Sequence, residues 1–126
     1  MKVDPSAVDV LEAARAAILG EIVPALPAGY RYVALMAANA MSIAARELAA
    51  PQTAHDELAR LASLLPAWVR TGDDEADLRT GTALLAARIR TGDFAEGEAR
   101  IRLLAHLLAT TRARLAVSNP RAMARD

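Results

Sequence analysis

The sequence predicts an all-α fold, in which four or five helices pack up and down as a bundle. Three observations favour this class. Alanine and leucine, the strongest helix formers, are abundant, and only 3% of the residues are aromatic. Apolar residues recur at the three- and four-residue spacing of amphipathic helices. Period-2 alternation of β-branched residues, which would indicate strands, does not occur.

Length, composition and charge narrow the class of protein. A chain of 126 residues with 54% apolar and 24% charged residues is typical of one globular domain. The 15 basic and 15 acidic residues cancel, which disfavours a nucleic-acid surface or adhesion to anionic lipid. The N-terminal MKVDPSAVDV lacks a signal-peptide pattern, and no uncharged apolar run approaches about 18 residues. We therefore expect a bacterial-type cytoplasmic protein with no membrane span.

The first two predicted helices differ in character. The first opens at Asp4-Pro5, a cap residue followed by a proline in the first turn, and ends at Pro24. The second covers about residues 30 to 50. Its near-continuous apolarity predicts that it is the central, most buried helix of the bundle.

Three further helices follow, over about residues 53–65, 74–90 and 94–118. The apolar residues expected to face the core from the last of them are Ile101, Leu104, Leu108 and Leu115. Asn119-Pro120 ends that helix, and a polar tail over about residues 120–126 is expected to fray.

The tetrapeptide RTGD occurs twice, at residues 70–73 and 90–93. No preceding strand and no G-x-x-x-x-G-K-[ST] pattern supports a phosphate loop. Each copy instead predicts a helix end, a glycine in the left-handed conformation, and an aspartate that caps the next helix.

The second helix carries a polar stripe on its otherwise apolar surface. At about 100° per residue, Arg31, Asn39, Ser42 and Arg46 fall within an arc of roughly 80°. Two guanidinium groups, an amide and a hydroxyl could together hold a carboxylate or a phosphate. The alternative interpretation is that the stripe is a solvent edge or a hydrogen-bonded network between helices.

The fifth helix has more apolar surface than one neighbour can cover, because Leu103 and Leu107 extend it beyond the predicted core stripe. His106 lies almost opposite that stripe and, with Thr110, could line a groove or a subunit contact. The sequence therefore predicts either a central position for this helix in the bundle or an interface around Leu103, His106, Leu107 and Thr110, with a partner protein or in a homodimer.

Catalytic and metal-binding patterns are not found. No cysteine is present, which excludes thiolate nucleophiles and cysteine-based zinc sites. His55 and His106 have no matched third ligand, so no metal site is predicted. No serine sits in a G-x-S-x-G or S-x-x-K context, and no paired carboxylates lie at helical spacing on an apolar face. We predict no catalytic residues and no cofactor, and the sequence does not favour an enzyme.

Three segments together resemble a known family: EIVPAL at 21–26, YRYVALMAANAMSIAAREL at 30–48 and LLAHLLATTRARLAVSNPR at 103–121. The family consists of small bacterial helical proteins catalogued as a domain of unknown function. The segment PAGYRY before the central helix departs from the family pattern. The positions that match the family motif are Pro24, Asn39, Arg46, Glu47, Leu115, Asn119, Pro120 and Arg121.

The resemblance implies a cellular context. Such proteins are encoded beside aminoglycoside/choline-kinase-like phosphotransferases, often near acyl-CoA dehydrogenase genes. It therefore implies an accessory role in acyl-CoA-related catabolism with a phosphotransferase-like partner, and no catalytic residues. The alternative function is a binder of an anionic ligand, such as an acyl-CoA, a nucleotide or a phosphate, at the polar stripe.

Overall fold

The computed structural model describes residues 4–124, and all regular structure within them is helical, which confirms the all-α prediction. The chain also contains a sixth helix of one turn, which the sequence did not predict. The up-and-down arrangement stays a prediction. The helices are α1 (Ala7–Ala17), α2 (Ala28–Leu48), α3 (Gln52–Leu64), α4 (Asp74–Arg90), α5 (Gly97–Ser118) and α6 (Pro120–Met123).

The described chain divides into two compact units. Unit 1 contains the described part of Met1–Ala50 together with Ala116–Pro120, and unit 2 contains Pro51–Leu115 with the described residues after Pro120. Within residues 4–124, no single helix is long and apolar enough to cross a membrane. Only the consecutive helices α2 and α3, taken together, reach that length and hydropathy.

Unit 1 is built on the packing of α1 against α2. Helix α1 begins after Ser6, two residues beyond the predicted start at Asp4-Pro5. The Ser6 hydroxyl accepts a hydrogen bond from the Asp9 N–H (3.2 Å), and the Asp9 carboxylate accepts one from the Ser6 N–H (3.0 Å). This reciprocal capping box satisfies two backbone donors that would otherwise have no partner. A π-helical turn and then a 3₁₀ turn, Val23–Ala25, end the segment where Pro24 stops the regular ladder.

Helix α2 is not the most buried helix, so that prediction is wrong. Its two buried residues are Ala38 and Ala45, whereas Tyr32 and Val33 are 70% and 65% exposed. Its buried positions hold small side chains, whereas two of its large apolar residues are half-buried and the others are exposed. Overall apolarity therefore overstated the burial of this helix.

Unit 2 holds the larger core. Three leucines of α3 are buried at helical spacing, and Leu65 follows at the end of the helix. Helix α4 contributes Leu85, and α5 contributes Leu103. Trp68 packs on the edge of this core, above Gly81 of α4, where no side chain keeps the ring away.

Helix α5 packs with the face opposite to the predicted one. Leu103, His106 and Thr110 are buried at spacings of three and four residues. The predicted core residues Ile101, Leu104 and Leu108 are 67%, 53% and 51% exposed, so that part of the prediction is wrong. Both stripes have helical spacing, and the core of unit 2 accepts one leucine, the histidine and the threonine in place of the three larger apolar residues.

The two RTGD segments behave differently. Gly72 and Gly92 both adopt the left-handed conformation, with φ of 97° and 87°, as predicted. The second copy ends α4, because the Asp93 N–H donates to the carbonyl of Arg88 (3.2 Å). The first copy does not end a helix, since α3 stops at Leu64, but its Asp73 does cap α4 by accepting from the Ala76 N–H (3.0 Å). Asp93 caps no helix, because α5 starts only at Gly97.

Candidate functional site

The predicted polar stripe of α2 does not form one group in the structure. Arg31 is exposed, and its Nε donates to the carbonyl of Leu26 just before the helix (3.1 Å). Asn39 is also exposed, while Ser42 and Arg46 are half-buried. The stripe therefore separates into a solvent-facing half and an inner pair.

The inner pair forms a hydrogen-bonded network within unit 1. Arg46 donates from Nε to the carbonyl of Val117 (2.6 Å) and from Nη1 to the hydroxyl of Ser42 (2.7 Å). Val117 lies in the last turn of α5, where the carbonyls have no partner within the helix. Arg46 thus satisfies a helix end, which is the structural interpretation that the sequence left open.

A cleft of about 400 Å³ lies beside this network in unit 1. Ser42 and Arg46 line it, together with Arg15 and Glu12 of α1. Glu12 introduces a negative charge at the same opening, which works against an anionic ligand. Ligand binding by the stripe stays a prediction that the structure does not test.

The four predicted interface residues of α5 do not share a surface. Leu103, His106 and Thr110 are 6%, 5% and 8% exposed and pack within the chain, whereas Leu107 is 43% exposed. Of these four residues, only Leu107 belongs to the exposed surface of the helix, and the predicted interface stays a prediction. The accessible surface is instead the one formed by Ile101, Leu104, Leu107 and Leu108, which we call the α5 apolar face.

Charge on α5 is unevenly distributed. The helix contains one acidic residue, Glu98, and four arginines: Arg100, Arg102, Arg112 and Arg114. Arg100 and Arg112 are exposed and lie at the two ends of the α5 apolar face, four residues before Leu104 and four residues after Leu108. The helix therefore presents apolar side chains bordered by positive charge.

A second polar cluster, which the sequence did not predict, lies between α3 and α5 in unit 2. Arg60 donates from Nε to Nδ1 of His106 (3.3 Å) and from Nη2 to the hydroxyl of Thr110 (3.4 Å). Burial of the imidazole, reinforced by the positive charge of Arg60, lowers the pKa of His106 below its usual 6.5. The lowered pKa favours the neutral ring, and the bond from Arg60 to Nδ1 places its proton on Nε2. His106 and Thr110 were predicted from the sequence to line a groove or a subunit contact, whereas Arg60, which joins them into a cluster, carried no sequence signal.

This cluster borders an open cleft of about 380 Å³ in unit 2. Arg102 reaches it from α5 and donates from Nη2 to the carbonyl of Ser63 (2.9 Å) and to its hydroxyl. The remaining lining is mostly apolar and small. The lining residues are Ala59, Arg60, Ser63, Leu64, Arg102, Ala105 and His106.

Metal binding has no candidate among residues 4–124, where no three His, Asp or Glu side chains are grouped so that they could hold an ion. His55 instead lies 3.6 Å, Nδ1 to Oδ2, from the carboxylate of Asp74 on the surface of unit 2.

A comparison with protein families identifies the family of this chain. The model of the family described as a domain of unknown function (DUF6285) matches residues 24–122. The match covers all of α2 through α5 and most of α6, so the chain belongs to this family. No curated protein and no solved structure matches the chain.

Proposed function

We propose that this protein is a non-catalytic, cytoplasmic accessory module that binds a phosphotransferase-like protein through the α5 apolar face. The observation that carries the proposal is the exposure of Ile101, Leu104 and Leu108 on one side of a 22-residue helix. Apolar side chains grouped in this way mark contact sites in soluble proteins. The role in acyl-CoA-related catabolism rests on the family resemblance alone.

The charge around the face supports a different protein as its occupant over a second copy of this chain. Two copies of α5 would bring Arg100 and Arg112 near the same residues of the partner helix, with one Glu98 in each copy to offset them. Like charges brought together across an interface are unfavourable. The proposed partner surface is an apolar groove with acidic side chains at its rim.

The experiment is a calorimetric titration of the phosphotransferase-like protein from the same genome into this protein. Leu104→Glu places a carboxylate in the middle of the α5 apolar face, and we expect it to weaken binding by about tenfold or more. Val69→Glu is the matched control, because Val69 is 84% exposed and lies outside α5. It should leave the affinity unchanged.

Two results would overturn the proposal. One is equal weakening by both variants, which would mean that added negative charge acts without regard to position. The other is a concentration-dependent dimer in sedimentation that Leu104→Glu dissociates, since the face would then be occupied by a second copy.

A second candidate function is anion binding in the unit 1 cleft that Ser42 and Arg46 line. Its support is the presence of Arg15 at the same opening. Thermal-shift screening with acyl-CoAs, nucleotides and sugar phosphates tests it, and Arg15→Gln should abolish any stabilisation. Stabilisation that persists in Arg15→Gln would count against this cleft.

A further inference from the structure

Two arginines of the unit 2 cleft carry positive charge without a carboxylate partner. Among the described residues, Arg60 and Arg102 form hydrogen bonds only with neutral groups. The arginines of another cleft in unit 2 behave differently, because Arg79 pairs with Glu75 (3.1 Å) and Arg114 with Glu57 (3.5 Å). Arg60 is half-buried, and a partly buried charge is costly unless an opposite charge accompanies it. Arg102 is exposed and adds a second positive charge at the mouth of the same cleft.

The two guanidinium groups keep donors available. A guanidinium has five N–H donors on three nitrogens. Arg60 uses Nε and Nη2, and Arg102 uses only Nη2, for the contacts described above. Nη1 of Arg60 and both Nε and Nη1 of Arg102 remain for another acceptor. An oxyanion with two or three oxygens matches such a set of donors.

His106 adds a neutral donor to the same cleft. Its Nδ1 accepts from Arg60, which fixes the proton on Nε2. Within residues 4–124, no acceptor takes that proton, and the ring lines the cleft. A neutral imidazole N–H can therefore donate to an anion without adding a charge that would itself need a partner.

The rest of the cleft is suited to an apolar group. Ala59, Leu64 and Ala105 line it, and the two alanines leave space that larger side chains would fill. Ligand sites commonly combine an apolar lining with a few convergent polar groups, as this one does.

We propose that the unit 2 cleft binds an organic oxyanion, a carboxylate or a phosphate monoester on a short apolar chain. Arg60, Arg102 and His106 hold the oxygens, and the apolar chain lies against Ala59, Leu64 and Ala105. This site is separate from the α5 apolar face, because it opens on the side of α5 that carries Arg102, Ala105 and His106.

Three six-carbon probes test the proposal: hexanoate, hexyl phosphate and uncharged hexanol. Each is titrated into isotope-labelled protein, with the His106 ring signals and the backbone amides of α3 and α5 as the readout. We expect saturable shifts of His106 with at least one anion and none with hexanol. Binding of hexanoate alone identifies a carboxylate ligand, and binding of hexyl phosphate alone identifies a phosphate ester.

Arg102→Gln is the decisive variant, because its side chain is exposed and lies outside the unit 2 core. Loss of one charge-assisted contact should weaken anion binding by about tenfold. Arg100→Gln is the matched control on the same helix, with the same change of charge outside the cleft, and should bind as the natural chain does. Unchanged His106 signals with both anions, equal binding of hexanol, or equal weakening in Arg100→Gln would each overturn the proposal.

Discussion

Asp77 is the most completely bonded carboxylate among the described residues, and it organises the turn that leads into α4. It is 1% exposed, and its Oδ1 accepts from the N–H of Thr71 (2.9 Å) and from the hydroxyl of the same residue (2.8 Å). Its Oδ2 accepts from the Gly72 N–H (3.1 Å) and lies 3.5 Å from Nε of Arg70. The Thr71 N–H above all, outweighing burial, holds the pKa of Asp77 below its usual 3.8.

Replacing that carboxylate should destabilise the protein. Asp77→Asn removes the negative charge and one of the two acceptor oxygens, so a partly buried backbone N–H loses its partner. We expect the melting temperature to fall by several degrees. Asp74→Asn is the control, because Asp74 is partly exposed and bonds only to surface side chains. An equal loss in both variants would contradict the role assigned to Asp77.

The same carboxylate gives the stability a predictable pH dependence. Because its pKa is lower in the folded state, the unfolded chain takes up a proton first as the pH falls below 3.8. The stability due to Asp77 is therefore fully present above that pH and is lost below it. Urea denaturation between pH 2 and 5 should show a steeper acid loss in the natural chain than in Asp77→Asn.

At the scale of the element, neighbouring leucines of α5 distinguish its two faces. Leu103 is 6% exposed and packs in the unit 2 core, whereas Leu104 is 53% exposed. Leu103→Ala should lower the free energy of unfolding by about 2–5 kcal/mol because it opens a cavity. Leu104→Ala should change it by no more than about 0.5 kcal/mol. Denaturant unfolding measures both, and the reverse order would mean that α5 packs with its other face.

The contact of α4 with Trp68 gives a second prediction at this scale. A Cβ at position 81 would lie 2.7 Å from the Trp68 ring, closer than carbon atoms approach. Gly81→Ala gains about 1 kcal/mol of helix propensity but loses about 1–3 kcal/mol to overpacking. We therefore expect net destabilisation and a changed fluorescence of Trp68, which is the one tryptophan of the chain.

Gly29→Ala is the matched control for that substitution. Gly29 lies in α2, and nothing lies within 4 Å of a Cβ placed there. The free energy of unfolding should stay the same or rise by up to about 1 kcal/mol. If Gly81→Ala stabilised the protein as much as Gly29→Ala, the close approach of the Trp68 ring would not affect the free energy of unfolding.

On the scale of the whole molecule, the helix content and most helix boundaries could be predicted from the sequence. Which face of a helix is buried could not. The limits of α4 were predicted to the residue, because Asp73 caps it and Gly92 follows its end. The inward face of α5 was missed, since two stripes of equal period compete and only the shape of the unit 2 core selects between them. The Arg60–His106 contact joins residues 46 positions apart, and no local pattern encodes such a pair.

A net charge of zero also conceals how the charge is distributed. The chain balances 15 basic against 15 acidic residues, yet α5 carries four arginines and one glutamate. The positive charge therefore accompanies the exposed apolar side chains of this helix. That coincidence underlies the proposal of a partner with an acidic rim, because complementary charge favours specific encounter over self-association.

The central claim is that the α5 apolar face is the docking surface. Methyl-labelled protein titrated with the phosphotransferase-like protein tests it most directly, because each isoleucine, leucine and valine methyl reports its own contacts. We predict shifts or broadening for Ile101, Leu104 and Leu108, with Leu61 and Leu85 of the core unaffected. Perturbation confined to Val33 and Leu35 of α2, or none at an excess of partner, would contradict the claim.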